Sequence, residues 1–152
     1  MNLSKEQKMD ALGRIGEKIV SNFLVKEGSI VTHSTNPYDN EKDLIADGKK
    51  VEVKTQVPFI MENAFTFLPK QLKKCRSVDT LFFVAVPAPR HYYKWDGWVF
   101  RVDPKKFSIR TKNTKDGRTM YLVDINQEAV IPIQKVSNED LEELKKYTNS
   151  NF

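Results

Sequence analysis

This chain of 152 residues is poor in the residues that build metal clusters and disulfides, with one cysteine and two histidines. The single Cys75 excludes an internal disulfide framework, and no cysteine or histidine cluster has the spacing of a zinc site. No apolar run approaches the roughly 18 residues that span a membrane, and the N-terminal residues lack the apolar segment of a signal peptide. We therefore expect a soluble cytoplasmic protein, in a reducing intracellular compartment, with no membrane partner.

The composition favours one compact domain. Hydrophobic residues make up 39% of the chain and aromatic residues 11%, which is enough for one core. Since no repeat, linker or low-complexity segment divides the chain, we expect a single domain over residues 1–152. Lysine and arginine outnumber aspartate and glutamate by 25 to 20, so the net charge is +5. This surplus favours polyanionic partners such as nucleic acid, without locating a site.

Residues 5–27 have the periodicity of an amphipathic helix, which Gly28 would end. Its apolar stripe comprises Leu12, Ile15, Ile19 and Phe23, widened by Val20 and Leu24. Gly13 and Gly16 each cost about 1 kcal/mol inside a helix, which predicts a close neighbour there. Glu17 falls at the edge of the stripe. It is either a solvated boundary residue or a carboxylate directed along the protein surface.

The stretch from Asp43 to Gln56 predicts a tight hairpin with an Asp47-Gly48 turn. A short strand at Ser29–His33 and a polar loop precede it. In the second arm of the hairpin, Val51 to Val57, side chains alternate between two faces. Valine and threonine occupy one face, and the other carries an acid, an amine and an amide: Glu52, Lys54 and Gln56.

The next elements predict an α/β order. Phe65–Phe67 is a strand, and a basic helix follows from Pro69 to Arg76, with Leu72 and Cys75 facing inward. Asp79 to Val86 is nearly all apolar, which is typical of a strand buried on both faces. A helix between two strands allows those strands to lie parallel.

The second half of the chain is rich in predicted strands. Trp98–Asp103 alternates as a strand, and Asp116-Gly117 joins the arms of a hairpin, Ser108–Lys112 and Met120–Ile125. We expect these strands to extend the sheet. Ser137 then caps a final helix.

The polar face of the first hairpin has the residues that phosphodiester hydrolysis requires. Carboxylates hold a divalent cation, which screens the phosphate and activates water. Asp43 and Glu52 lie on adjacent predicted strands, and the backbone carbonyl of Val53 is a further oxygen ligand. Lys54 emerges beside Glu52, where an amine orients or deprotonates the attacking water. Alone, Glu-x-Lys is also an ordinary solvated strand pattern.

Asp43 followed by Glu52-Val53-Lys54 resembles the signature of the PD-(D/E)XK nuclease superfamily, and ALGRIGEKIVSNFLVKEG is similar to the opening helix of its Holliday-junction resolvases. The resemblance covers about residues 8–90 and extends to small phage or intron-encoded homing endonucleases. It implies a restriction-endonuclease-like αβββαβ core with a mixed sheet, followed by a β-rich C-terminal extension over residues 91–148 that ends in a helix.

The resemblance also implies an activity and its residues. The protein would be a Mg²⁺-dependent DNA endonuclease, with Mn²⁺ able to substitute, and the metal ligands would be Asp43, Glu52, the Val53 carbonyl and Glu17. Lys54 would position the water, and Gln56 would contribute to catalysis. Since Lys42 replaces the proline that often precedes the family's aspartate, Asp39 is a rival ligand.

The resemblance leaves the substrate open between a duplex site, as in restriction or homing enzymes, and a branched junction. Cutting both strands implies a homodimer or a higher symmetric homo-oligomer. A non-catalytic nucleic-acid-binding protein on the same fold and a protein-interaction module are the alternatives.

Phosphate contacts would come from the exposed lysines and arginines. The candidates are Lys49, Lys50, Lys70, Lys73, Lys74 and Arg76. Base or structure recognition is expected between Arg90 and Lys115, where stacking competes with a packing role for the aromatic residues Tyr92, Tyr93, Trp95 and Trp98. We expect His33 and His91 to be surface residues, and Cys75 a small buried one.

Overall fold

The computed structural model describes residues 2–33, 44–59, 63–88 and 96–148. Within these ranges the chain forms three helices, α1 (Lys5–Lys26), α2 (Pro69–Ser77) and α3 (Asn138–Lys145). It also forms nine strands: β1 (Val31–His33), β2 (Leu44–Ala46), β3 (Lys49–Gln56), β4 (Ala64–Phe67), β5 (Thr80–Ala85), β6 (Trp98–Val102), β7 (Arg110–Asn113), β8 (Thr119–Asp124) and β9 (Val130–Lys135). None of the described helices is long and apolar enough to cross a membrane.

Six of these strands form a mixed sheet in the order β1-β2-β3-β5-β6-β9, so the expected α/β class is confirmed. β1, β2 and β3 pair antiparallel, whereas β3 and β5 run parallel and are joined through β4 and α2. A parallel pair needs such a crossover connection, which the predicted basic helix provides. β3 is therefore an inner strand, with β2 on one side and β5 on the other.

The other three strands form a second antiparallel sheet in the order β4-β8-β7. The expectation that the C-terminal strands all extend the main sheet is therefore wrong for β7 and β8. The physical reason is packing, since the Phe65 ring of β4 stacks on Phe83 of β5, with centroids 4.3 Å apart. The alternation in β4 buries Phe65 and Phe67 against the main sheet, and β8 pairs with β4 over that layer.

The main sheet separates two apolar layers. α1 and α3 cover one face, where Phe82 and Val84 of β5 are buried. α2 and the second sheet cover the other face, where Leu81, Phe83 and Ala85 of the same strand are buried. β5 is thus buried on both faces, as its nearly continuous apolar sequence predicts.

α1 begins with a capping box between Ser4 and Gln7, and it packs across β3 at Gly16. A Cβ at Gly16 would lie only 1.7 Å from Thr55 Oγ1, so the helix and the strand approach more closely than a side chain allows. The expectation of a close neighbour is thus confirmed at Gly16. It is wrong at Gly13, where a Cβ would meet no described atom within 4 Å, because that turn of the helix borders a cleft.

Candidate active site

The hairpin of β2 and β3 places two chemically different faces of β3 against two helices. Its turn has the positive φ angles that Asp-Gly tolerates, 52° at Asp47 and 78° at Gly48. The register pairs Leu44 with Val51. Val51 and Val53 pack in the apolar layer under α1. Glu52 therefore emerges on the opposite face, toward α2.

The Glu52 carboxylate is largely enclosed, with 24% of the side chain exposed, and it forms an ion pair with α2. Lys74 Nζ lies 3.3 Å from Glu52 Oε2. The pair spans the space between the central strand and the basic helix. The Glu52 carboxylate therefore has the Lys74 ammonium group on one side and an opening to solvent on the other.

That opening is a cleft of about 810 Å³ at the ends of β1 and β2, lined by α1 on one side of the sheet, the middle of β3, and Lys74 of α2 on the other side. Glu17 of α1 and Glu52 of β3 both line it, together with Val53 and Lys74. The fold therefore brings two of the predicted site carboxylates to one cavity. The contact of Gly16 with Thr55 explains why, since it fixes the turn of α1 that carries Glu17 against β3.

The backbone of β3 directs the Val53 carbonyl toward the β2 side of the strand. Lys50 O accepts from Asp79 N, and Gln56 O accepts from Val86 N, so the even-numbered carbonyls face the β5 side. Carbonyls alternate along a strand, and that of Val53 therefore faces the other way. The described part of β2 pairs only as far as Val51.

Lys54 lies beside Glu52 under α2 and does not line the cleft. Its Nζ donates to Gln71 Oε1 at 3.3 Å and sits 5.1 Å from the centre of the Phe67 ring. Burial lowers the pKa of Lys54, while the negative charge of Glu52 opposes that shift. These contacts hold the amine in one position next to the carboxylate.

Cys75 completes the floor beneath Lys54 and Glu52. It is a buried residue, as expected, and burial raises the pKa of its thiol to about 12, with the Glu52 carboxylate adding to the rise. The thiol therefore stays protonated at neutral pH. A protonated buried thiol is a packing group and a poor nucleophile.

The Gln56 side chain is occupied by the second sheet. Its Oε1 accepts from Thr66 N at 2.6 Å, and its Nε2 donates to Thr66 O at 3.3 Å. The amide thus acts as a strand partner for β4. The structure places Gln56 on the same face as Glu52 and Lys54, but at the junction between the two sheets and away from the cleft-lining residues.

The predicted phosphate-binding residues divide into two groups. Lys49, Lys50, Lys70 and Lys73 are exposed around the hairpin and α2, and Lys74 reaches the cleft. Arg76 differs, because its guanidinium stacks 3.8 Å from the centre of the Phe107 ring and donates to the Pro104 carbonyl at 3.4 Å. The structure therefore engages Arg76 in packing against the C-terminal half of the chain.

Several predicted residues lie outside the described ranges, among them the metal ligand Asp43 and its rival Asp39. The same holds for His91, Tyr92, Tyr93 and Trp95. Of the four aromatic residues considered for stacking, only Trp98 is described, and it lies at the border of exposure on β6 opposite Lys135.

Sequence reasoning missed other residues that line the cleft. They are His33 at the end of β1 and Asp10, Arg14 and Lys18 on α1. Positions 10, 14, 17 and 18 fall on one helical face, a spacing of three and four residues that could have identified them as neighbours of Glu17. His33 is exposed, as expected, but it shares the cavity with both carboxylates.

The donor chemistry of this cleft fits a hard divalent cation. Mg²⁺ takes carboxylate and carbonyl oxygens and keeps several waters, so one or two carboxylates suffice to hold it. Glu17, Glu52 and the Val53 carbonyl are oxygen donors of this kind. Among the described residues, no three histidine, cysteine, aspartate or glutamate side chains gather into a complete metal site.

Comparison with protein-family models, with curated proteins and with solved structures gives no match to this chain.

Proposed function

We propose that this protein is a Mg²⁺-dependent DNA endonuclease whose active site is the cleft between α1 and β3. The observation that carries the proposal is the placement of Glu17 and Glu52 in one cavity, with Lys54 held beside Glu52. Two carboxylates from different elements and an adjacent amine are the groups that metal-assisted phosphodiester hydrolysis uses.

The strand order supports the more specific proposal of a PD-(D/E)XK nuclease core. α1, β1, β2, β3, α2 and β5 follow one another in an αβββαβ order, with β5 parallel to β3. β4 is an addition between β3 and α2 that joins the second sheet. In this proposal the C-terminal strands and α3 form an extension of the core within one domain.

The metal ligands in this proposal are Glu17, Glu52, the Val53 carbonyl and Asp43. Asp43 directly precedes Leu44, and Leu44 pairs with Val51, the residue before Glu52. Its place in the chain therefore favours Asp43 over Asp39. The cation, when bound, screens the negative phosphate and lowers the pKa of a bound water.

Lys54 is assigned the orientation of the attacking water and the stabilisation of charge on the phosphate. Its amine lies close enough to Glu52 to feel the charge of that carboxylate, and this role requires the amine to turn from Gln71 toward the cleft when substrate binds. Lys74 forms an ion pair with Glu52 and can turn to a phosphate oxygen when DNA binds. Gln56, tied to Thr66, would act by holding the end of β3.

The substrate in this proposal is DNA, either a duplex site or a branched junction. The exposed lysines near the cleft, Lys49, Lys50, Lys70 and Lys73, would contact the phosphate backbone. Cleavage of both strands needs two such sites, so we expect a homodimer or a larger symmetric assembly.

The test is cleavage of a panel of linear, supercoiled and four-way-junction DNAs with Mg²⁺, with EDTA controls. Wild-type protein should cut at least one of these DNAs only when the metal is present. Lys54→Ala should cut about 10²- to 10⁴-fold more slowly, the usual cost of losing a positioned acid–base group. Its affinity for DNA in EDTA should be retained.

Lys135→Ala is a suitable control, because Lys135 pairs with Asp96 and lies on β9, three strand positions from β3 in the main sheet. It should cut as the wild type does. Cleavage by Lys54→Ala at the wild-type rate would exclude Lys54 from the reaction and remove the basis of the proposed site.

A nucleic-acid-binding protein without catalysis is the second candidate, and the net charge of +5 is the observation that favours it. Titration with Mn²⁺ followed by electron paramagnetic resonance separates the two candidates. Binding that Glu52→Gln removes supports the nuclease, whereas DNA binding by a protein that takes up no Mn²⁺ supports the binder.

A further inference from the structure

The positive charge of this protein is concentrated in one short stretch. Residues 105–120 contain six basic residues and one acidic residue, a surplus equal to the +5 of the whole chain. The basic residues are Lys105, Lys106, Arg110, Lys112, Lys115 and Arg118. Since the rest of the chain is close to neutral, this stretch is where a polyanion would be attracted most strongly.

Four of the six basic residues lie on the hairpin of β7 and β8, at the edge of the second sheet. All four residues of β7 are exposed, and β7 pairs with β8 alone among the described strands. Its turn contains Gly117 with φ of 84° and an exposed Lys115. Since β8 also pairs with β4 as far as Tyr121, only the tip of the hairpin, from Lys112 to Met120, is a two-stranded ribbon, and a ribbon of this width fits the major groove of duplex DNA.

The charged side chains of the hairpin fall into two groups, those in ion pairs and those whose charge is not offset. Arg110 donates to both carboxylate oxygens of Asp124, at 2.7 and 2.8 Å, and Arg118 donates to Asp116 at 2.9 Å. These pairs brace the strands and the turn. Lys112, whose Nζ lies 5.7 Å from the centre of the Phe59 ring, and Lys115 supply the positive charge that these pairs do not offset.

The hairpin lies within one turn of DNA from the proposed active site. Four residue steps along β3 lead from Glu52 to Gln56, Gln56 bonds to Thr66, and two strand spacings lead from Thr66 through Leu122 to Arg110 at the base of the hairpin. At about 3.3 Å per residue and 4.8 Å per strand, this path is about 30 Å to Arg110, and Lys112 is two residues further along β7. One turn of duplex is about 34 Å, so a single duplex can reach both sites.

We infer that the hairpin of β7 and β8 is a duplex-binding arm that enters a DNA groove beside the cleft, with Lys112 and Lys115 contacting phosphates. The inference rests on the proposed function, since it takes duplex DNA as the partner. It adds a second point of contact that fixes where along the duplex the cleft sits.

The test compares two double variants with wild-type protein in binding to a fluorescent DNA duplex, in EDTA, over a series of salt concentrations. Lys112→Ala with Lys115→Ala removes the arm's charge, and Lys5→Ala with Lys26→Ala removes two exposed lysines at the ends of α1. Each lost phosphate contact lowers the slope of log affinity against log salt by about 0.9. The arm variant should therefore lose about 1.8 from the slope, and the α1 variant should lose none.

A slope for the arm variant equal to that of the wild type would overturn the inference, as would an equal loss in both variants. Thermal unfolding of each variant verifies that the exposed substitutions leave the fold intact. If wild-type protein fails to bind duplex at low salt, the arm and the proposed function fail together. If it binds through the arm but cuts no DNA with Mg²⁺, the proposed function alone fails.

Discussion

Two hairpins of this chain contain the same turn dipeptide and differ in everything around it. Both turn at Asp-Gly, with φ of 78° at Gly48 and 84° at Gly117. In the hairpin of β2 and β3, Leu44 is 3% exposed and Val51 is 5% exposed. In the hairpin of β7 and β8, every residue of β7 is exposed.

The neighbours of each hairpin account for the difference. β1, β5, α1 and α2 enclose the first hairpin, and contacts with α2 hold its polar residues Glu52 and Lys54 in defined positions. The second hairpin has β4 on one side, and the charges on β7 keep its outer edge soluble. Turn chemistry thus specifies a hairpin, while packing decides whether it holds a site rigidly or serves as a surface arm.

The largest expected effect comes from separating α1 from the first hairpin. Gly16→Ala places a Cβ where Thr55 Oγ1 lies 1.7 Å away, so the helix must move. We expect a loss of about 3 kcal/mol in the free energy of unfolding, measured in urea, because overpacking forces such shifts. DNA cleavage should fall as well, since Glu17 moves with the helix.

Gly13→Ala is the matched control in the same helix, where a Cβ meets nothing within 4 Å. It should leave stability unchanged or raise it by up to about 1 kcal/mol, the helix propensity gained over glycine. Equal stabilities for the two variants would show that the Gly16 contact does not fix the helix on β3.

A smaller effect is expected where the two sheets are joined. Gln56→Ala removes the acceptor of Thr66 N and the donor to Thr66 O. Leaving such groups without partners costs about 2 kcal/mol in the free energy of unfolding. Urea unfolding measures this loss, and Gln134→Ala on β9 provides a control with an expected change of under about 0.5 kcal/mol.

The same variant tests what Gln56 does. Cleavage per folded molecule should be little changed if the amide only holds β4. A loss of cleavage by 10²-fold or more, with stability retained, would instead support the direct catalytic role that the family resemblance implies.

The smallest effect is expected when the two turns are compared by the same substitution. Gly48→Ala and Gly117→Ala each force alanine into left-handed backbone, at a cost of about 1 kcal/mol. In the first hairpin this cost should appear in global unfolding, because the strands are part of the packed sheet. In the second it should appear as faster amide exchange in β7 with little change in global stability. The same loss in the free energy of global unfolding for both variants would show that the two hairpins are equally part of the packed fold.

Most elements could be predicted from the sequence, because their signals are local. The apolar period of α1, the Asp-Gly turns and the apolar run of β5 each report their own structure. The partners of β4 and β8 could not be predicted, since that pairing joins residues about 60 positions apart through the packing of Phe65 on Phe83. β9 was missed because Pro132 interrupts it, and it is an edge strand of the main sheet.

The candidate site was also predictable where its residues follow local patterns, and not where its contacts depend on distant elements. Alternation in β3 indicates that Glu52 and Lys54 share a face, and the helical wheel places Glu17 at a boundary. The contacts of Gln71 with Lys54 and of Thr66 with Gln56 depend on how α2 and β4 fold over that face. Likewise, His33 and Arg14 join the cleft only because α1 crosses β1 and β3 where Gly16 permits it.

The most direct test of the central claim is the rate at which supercoiled DNA is cut as Mg²⁺ is titrated, for wild-type protein, Glu52→Gln and the exposed control Glu142→Gln. Glu52→Gln keeps the shape of the side chain but removes its charge. The account predicts cleavage that rises with Mg²⁺ in the wild type and in the control, and falls at least about 10²-fold in Glu52→Gln. Cleavage by Glu52→Gln at the wild-type rate, or cleavage in EDTA, would contradict it.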